Sequence, residues 1–125
     1  MRYLTDSLLL FLAGGLGTLL RAGCNTLLIR LLGHGFPWGT LAVNLIGSFV
    51  FGAISGLVHS RGILSSEVET IILVGLFGGF TTYSSFAFQS TEMLITGRPL
   101  LAAVYVATTV TASILAVWAG LRLCS

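Results

Sequence analysis

Apolar residues dominate four long stretches of the chain, which cover residues 7–32, 39–58, 68–95 and 99–122. Each stretch reaches the roughly 20 residues that an α-helix needs to cross the hydrocarbon core of a bilayer. The second stretch carries no charged side chain. The pattern therefore predicts an all-α membrane protein with four transmembrane helices, folded as a single domain over residues 1–125.

Short connections with turn and capping residues separate these stretches. The first connection, residues 33–38, is rich in glycine and ends the first helix. In the second, Ser66 and Glu69 fit a capping box, with Ser66 as the N-cap. Gly97 and Pro99 bracket the third connection as a helix stop and a helix start. With connections this short, almost the whole chain is expected inside the membrane.

The composition agrees with a chain that lies almost wholly in lipid. Hydrophobic residues make up 55% of the 125 residues, charged residues only 8%, and the mean hydropathy is +1.00. A soluble domain carries roughly 25% charged residues, so a water-soluble monomer and an enzyme with a cleft of titratable groups are both disfavoured. A net charge of +2 is too small for a nucleic-acid-binding surface. We therefore expect the lipid bilayer as the surroundings and no nucleic-acid partner.

The arginines give almost no signal for the orientation of the chain in the membrane. Four spans place both termini on one side, and that side carries Arg2, Arg61 and Arg122. The other side carries Arg30 and Arg98, which is hardly a bias under the positive-inside rule. Either the chain still takes one orientation, or it inserts both ways and pairs antiparallel. A chain this small can hardly enclose a pathway alone, so an oligomer is expected.

Small residues and one arginine share a face of the first helix. Ala13, Gly17 and Arg21 are spaced four apart, with Gly14 and Gly15 beside them. The glycines are expected to let another helix approach closely. The Arg21 guanidinium lies inside an apolar run and needs a partner or water. Three interpretations stay open: a water-filled vestibule that attracts anions, a structural hydrogen bond to backbone carbonyls, and snorkelling to the headgroups.

Polar side chains recur every fourth residue on the second and fourth helices. The two stripes consist of Thr40, Asn44 and Ser48 on the second helix and of Tyr105, Thr109 and Ser113 on the fourth. Asn44 supplies two N–H donors and one acceptor. It either forms an interhelical hydrogen bond that holds the fold together or donates into a permeation path. The fourth-helix stripe is either packing or a hydroxyl track along such a path.

The third stretch contains a segment that a continuous helix does not favour. Two adjacent glycines and two β-branched threonines fall within residues 78–82, where we expect the helix to break. Freed carbonyls at such a break can bind a cation, and freed N–H groups can bind an anion. Aromatic and polar side chains follow the break, namely Tyr83, Ser84, Ser85, Phe86 and Gln89. The aromatic pair is either packing between helices or part of a path.

These polar positions indicate what kind of solute could pass. The interior of the spans carries no acid, since Glu92 lies near the end of the third stretch. That argues against a cation pathway and against a proton relay. Hydrogen-bond donors and electropositive ring edges suit an anion. A narrow path lined by small donors favours a small anion, which the residues alone do not name.

Three segments together resemble the Fluc (CrcB) fluoride channel family. Residues 78–86, GGFTTYSSF, resemble its Gly-Gly-x-Thr-Thr-Phe-Ser-Thr-Phe motif. Residues 39–49, GTLAVNLIGSF, are similar to its second-helix motif, and residues 14–21, GGLGTLLR, to its first-helix motif. The resemblance covers all four helices and the full length.

The resemblance implies a passive fluoride exporter that protects a microbial cytoplasm, placed in the inner (cytoplasmic) membrane as a multi-pass protein. The family's fold implies an antiparallel, dual-topology homodimer with two pores. The pore residues expected from the stripes and from the resemblance are Thr40, Asn44, Tyr83, Ser84, Ser85, Phe86, Tyr105, Thr109 and Ser113. Arg21 and Gln89 are expected in the vestibules. A structural sodium ion (Na+) at the dimer two-fold axis would be held by the backbone carbonyls of Gly78 and Thr81.

Two positions depart from the family pattern. The first pore aromatic is Tyr83 instead of phenylalanine, which adds a phenolic oxygen. The family's acid three residues after the second aromatic is Gln89 here, which removes a charge near the pore mouth. Neither departure changes the expected architecture.

Two other functions compete with a channel. A small multidrug-resistance-type transporter would also be a four-helix chain of this size, but its coupling needs a glutamate embedded in the first helix. This first helix has none, because Asp6 lies at its start. The other alternative is a membrane assembly subunit without a transport path, in which the polar stripes only join helices.

Overall fold

The structure is a computed structural model that describes residues 2–125 of the chain. All of its regular elements are helical. They are α1 (Arg2–Leu32), α2 (Trp38–Arg61), α3 (Ser66–Thr70), a π-helical segment (Ile71–Phe77), α4 (Gly78–Phe80), α5 (Tyr83–Ile95) and α6 (Pro99–Cys124).

Four of the resulting spans are long and apolar enough to cross a membrane. They cover Tyr3–Leu32, Trp38–Arg61, Ser66–Ile95 and Pro99–Cys124. The prediction of four transmembrane helices is therefore confirmed. The observed helices run a few residues past most of the predicted ends, because helical geometry continues into the polar residues that flank each apolar stretch.

Glycines bring α2 and α6 into close contact. A methyl group at Gly52 would overlap the carbonyl of Val117, and one at Gly120 would overlap the carbonyl of Phe49. Helices in a membrane gain little from hydrophobic burial against each other, so this close backbone approach supplies the packing. The contact fixes the polar stripe of α6 beside that of α2.

A second close contact joins α1 to the third span. A methyl group at Gly17 would overlap the Leu76 carbonyl, and one at Gly79 would overlap the Gly14 carbonyl. The packing role expected for Gly17 is confirmed, whereas a methyl group at Gly14 would make only an ordinary contact, 3.7 Å from the Gly75 oxygen. Gly15 faces open space, so it takes no part in this contact.

The third span changes its backbone geometry four times, from α-helix to π-helix, back to α-helix, to extended chain and to α-helix again. The span begins with α3, whose N-cap is Ser65. The Ser65 hydroxyl accepts a hydrogen bond from the N–H of Val68 at 3.4 Å. The predicted N-cap at Ser66 is therefore wrong by one residue. The π-helical turns of Ile71–Phe77 follow. No pattern described above predicts them.

The predicted break is present but is shorter than expected. Gly78–Phe80 is still helical, and the chain becomes extended only at Thr81 (ψ 161°) and Thr82 (φ −150°). A side chain at Gly79 would overlap the Gly14 carbonyl of α1, so this glycine serves packing. The helix does not break there. The break therefore depends on Thr81 and Thr82, after which α5 begins.

Candidate functional site

Asn44 closes the break in the third span with two hydrogen bonds. Its Nδ2 donates to the carbonyl of Thr82 at 3.1 Å, and its Oδ1 accepts from the N–H of Thr82 at 2.8 Å. The side chain thus gives the N–H of Thr82 the acceptor that the break removes, as a membrane-embedded backbone group requires. The interhelical hydrogen bond expected as one interpretation of Asn44 is present. A carboxamide has a second N–H, so donation into a path is compatible with this clamp.

Arg21 binds the same break from the other side. Its Nη1 donates to the carbonyl of Thr81 at 3.1 Å, and the contact is partly buried. Of the three interpretations of Arg21, the structural hydrogen bond to a backbone carbonyl is the one with a visible partner. Its position in a vestibule stays a prediction.

The Thr82 hydroxyl organises the start of α5. Its Oγ1 accepts from the N–H of Ser85 at 3.2 Å as an N-cap and lies 3.0 Å from the Ser85 Oγ and 3.4 Å from the Ser84 Oγ. Thr82 is not among the residues predicted for the site from the sequence. Its position could have indicated this role, because threonine is a favoured N-cap and Thr82 directly precedes the helix that begins after the break.

A cavity of about 460 Å³ opens where the break faces α2 and α6. Five of the predicted pore residues line it, and so do both predicted sodium ligands. These are Asn44, Tyr83, Phe86, Thr109 and Ser113, with Gly78 and Thr81. Thr40, Ser84, Ser85 and Tyr105 do not line it. No acid is among its lining residues.

Two hydroxyls at this cavity have no partner. Within the described residues, the buried Thr109 Oγ1 and Ser113 Oγ form no hydrogen bond. Buried polar groups are nearly always satisfied, and leaving one unsatisfied destabilises a fold. Both residues line the cavity, while their hydroxyl oxygens are covered and lack a partner.

Aromatic rings form a continuous row beside the cavity. Phe86 lies 5.6 Å from Tyr83 and 5.3 Å from Tyr105, measured between ring centroids. Phe36 meets Tyr105 edge-on at 5.3 Å. Tyr83 is 80% exposed, whereas Tyr105 is fully buried. Tyr83 thus presents its ring to whatever surrounds the chain.

The buried Tyr105 hydroxyl connects the aromatic row to Gln89. It donates to the Gln89 Oε1 at 2.9 Å, and the Thr40 hydroxyl lies within hydrogen-bonding reach of it. Gln89 lines a second cavity of about 220 Å³, together with Asn25 and Arg98. Gln89 is therefore the link between the interior of the bundle and the end at which α1 and α5 terminate.

The break leaves backbone oxygens that suit a hard cation. The N–H of Thr82 would be the helical donor to the Gly78 carbonyl, but it bonds to Asn44 instead. Gly78 is exposed with open space beside it. Carbonyl oxygen is a ligand that hard cations accept. The Gly78 carbonyl therefore fits the expected sodium site, whereas the Thr81 carbonyl already accepts one hydrogen bond from Arg21.

The comparisons with known proteins identify the family. The family model described as CrcB-like protein, Camphor Resistance (CrcB), matches residues 8–121. The chain belongs to the CrcB-like family. Among similar CrcB relatives, the protein of Rhizobium etli named fluoride-specific ion channel FluC is 37% identical over 94% of both chains. The protein of the same name from Agrobacterium fabrum is 41% identical over 88% of both chains. The one from Nitrosococcus oceani is 44% identical over 75% of both chains.

The family assignment confirms the resemblance seen in the sequence. The match includes all four spans, so the CrcB fold positions the whole site described above. The three motifs that carried the resemblance form the contacts around the break: the first-helix motif ends at Arg21, the second contains Asn44, and the third contains Thr81 and Thr82.

Proposed function

We propose that the chain is a fluoride channel that lets the ion leave the cytoplasm passively across the inner membrane. The relatives named as fluoride-specific channels support this function. The observation that carries it is that Thr109 and Ser113, two residues with unpartnered hydroxyls, line a cavity without acids. As a channel the protein performs no covalent chemistry, so it is not an enzyme.

The chemistry of the cavity wall fits a small anion. Fluoride must exchange its water for close donors, because an unpaired ion in an apolar interior is very costly. The hydroxyls of Thr109 and Ser113 and the second N–H of Asn44 are such donors. The electropositive ring edge of Phe86 adds a weaker contact. No carboxylate lies on the wall to repel an anion.

The working unit in this proposal is an antiparallel, dual-topology homodimer. A chain of 125 residues is too small to enclose a path by itself. Tyr83 and Gly78 lie at the cavity yet are exposed, so a second copy would complete the wall on that side. The near-balance of arginines at the two ends supports insertion in both orientations.

A sodium ion at the dimer two-fold axis completes the proposal. The Gly78 and Thr81 carbonyls of both copies would hold it. The break leaves these carbonyl oxygens without helical donors, so the ion would contact oxygens that lack their helical hydrogen bonds. Within the described residues no group of three acidic, histidine or cysteine side chains could hold a metal. Backbone oxygens are therefore the available ligands.

Fluoride efflux from liposomes tests the function. Purified protein is reconstituted into vesicles loaded with potassium fluoride, a potassium carrier is added, and a fluoride electrode records release. We expect rapid fluoride release and no chloride release from matched vesicles loaded with potassium chloride. Absence of fluoride release above that of protein-free vesicles overturns the proposal and favours an assembly subunit. Release that requires a proton gradient favours a transporter.

A further inference from the structure

Arg21 occupies one of the two carbonyls expected to bind sodium. Its Nη1 lies 3.1 Å from the Thr81 oxygen, and the contact is partly buried. The side chain crosses from α1 to the break, and the nearby Gly17 keeps the two backbones close. The guanidinium is a cationic donor with no acceptor of its own.

We infer that the Arg21 guanidinium and sodium share the Thr81 carbonyl, so that Arg21 weakens sodium binding and itself stabilises the break. This inference rests on the proposed sodium site. A carbonyl oxygen has two lone pairs, so it can accept from Arg21 and contact a cation at the same time. Both cations then lie within the ~4–6 Å over which like charges disfavour each other.

The remaining contacts at the break show what Arg21 supplies. The Thr82 carbonyl and N–H are both satisfied by Asn44, and the N–H of Thr81 bonds to the Phe77 carbonyl at 3.0 Å. The Thr81 carbonyl has no such partner on α2, and Arg21 fills that position. Arg21 therefore gives the break a fixed positive charge that does not depend on the salt outside.

The partner that the structure gives Arg21 is a carbonyl, and no carboxylate is among the residues that line the cavity beside the break. An uncompensated charge acts more strongly at a partly buried site than at the surface, because water and salt screen it less. Removal of the Arg21 charge is therefore expected to strengthen sodium binding.

Thermal unfolding in sodium titrations tests the inference. Wild-type protein in detergent is followed by tryptophan fluorescence while sodium replaces N-methyl-glucamine at constant ionic strength. Sodium that binds only the folded dimer raises Tm by mass action. Arg21→Gln removes the charge and keeps an N–H donor. Arg30→Gln, at an exposed arginine of the same helix, is the matched control.

We expect the sodium concentration that raises Tm by a fixed increment above its sodium-free value to be about tenfold lower in Arg21→Gln than in wild type and Arg30→Gln. In sodium-free buffer Arg21→Gln should unfold at a lower temperature than both. An unchanged or higher concentration for the same increment in Arg21→Gln overturns the inference.

A second variant keeps the inference testable if Arg21→Gln does not fold. Arg21→Lys preserves the charge, so the sodium concentration that gives the same Tm increment should stay within about twofold of wild type. A fall of about tenfold contradicts the account. Fluoride efflux from the same preparations separates the two proposals. Efflux without any sodium response in wild type or variants overturns the sodium inference alone, whereas absence of efflux overturns the channel.

Discussion

The Asn44 carboxamide binds both backbone polar groups of Thr82, with its Nδ2 3.1 Å from the carbonyl and its Oδ1 2.8 Å from the N–H. One side chain of α2 therefore holds the unwound point of the third span. The same residue lines the cavity. Stability of the break and the lining of the path consequently depend on one asparagine.

Replacement of Asn44 by leucine should destabilise the fold. Leucine has the same branched shape but leaves the N–H of Thr82 without an acceptor, and an unsatisfied buried group costs roughly 1–3 kcal/mol. It also removes one of the hydrogen bonds to the Thr82 carbonyl. Thermal unfolding should show a clear drop in Tm. Ser48→Ala, one turn further along α2 at the same cavity, is the matched control and should leave Tm nearly unchanged. Equal Tm values for the two variants would remove Asn44 from the stabilisation of the break.

Close packing between α1 and the third span predicts different effects at neighbouring glycines. In Gly17→Ala the new methyl group overlaps the Leu76 carbonyl, so we expect a loss of about 1–3 kcal/mol. In Gly15→Ala the methyl group enters open space, and the helix propensity of alanine can even stabilise by up to ~1 kcal/mol. Unfolding in detergent compares the two. A larger loss at Gly15 than at Gly17 would contradict the packing described here.

The Tyr105–Gln89 hydrogen bond predicts which replacements of Gln89 are tolerated. Gln89→Glu keeps an oxygen that accepts from the Tyr105 hydroxyl, so it should lose less stability than a variant without an acceptor. Gln89→Leu removes the acceptor from a buried phenol and should cost about 1–3 kcal/mol. Thermal unfolding of both variants measures the difference. If Gln89→Glu loses as much as Gln89→Leu, the hydroxyl does not depend on this acceptor.

Much of the fold could be predicted because a bilayer imposes simple rules on sequence. Four apolar stretches of sufficient length predicted four spans, and the small residues at Gly14 and Gly17 predicted a close helix contact, which the structure confirms. The break was also predictable, since Thr81 and Thr82 follow two glycines. Its extent was not, because Gly79 serves packing against Gly14 and remains helical.

The contacts around the break could not be deduced from spacing. A four-residue repeat places Asn44 on one face of α2. Which residue of the third span it contacts depends on the relative axial position of the two helices, and in the structure that residue is Thr82. The choice among the three interpretations of Arg21 likewise needed the position of the Thr81 carbonyl. The π-helical turns of Ile71–Phe77 arise from small backbone offsets that residue types do not specify.

The central claim is that unpartnered hydroxyls in the cavity carry fluoride, and Thr109→Val tests it most directly. Valine preserves the shape and removes the unpartnered Oγ1, so the protein should be as stable as wild type or more so. Hydrogen bonds to ions are worth roughly 1.5–3 kcal/mol, so fluoride efflux from liposomes should fall about tenfold or more. Thr108→Val, at the exposed neighbouring position, is the control and should conduct as wild type does. Equal efflux from Thr109→Val and Thr108→Val would contradict the account.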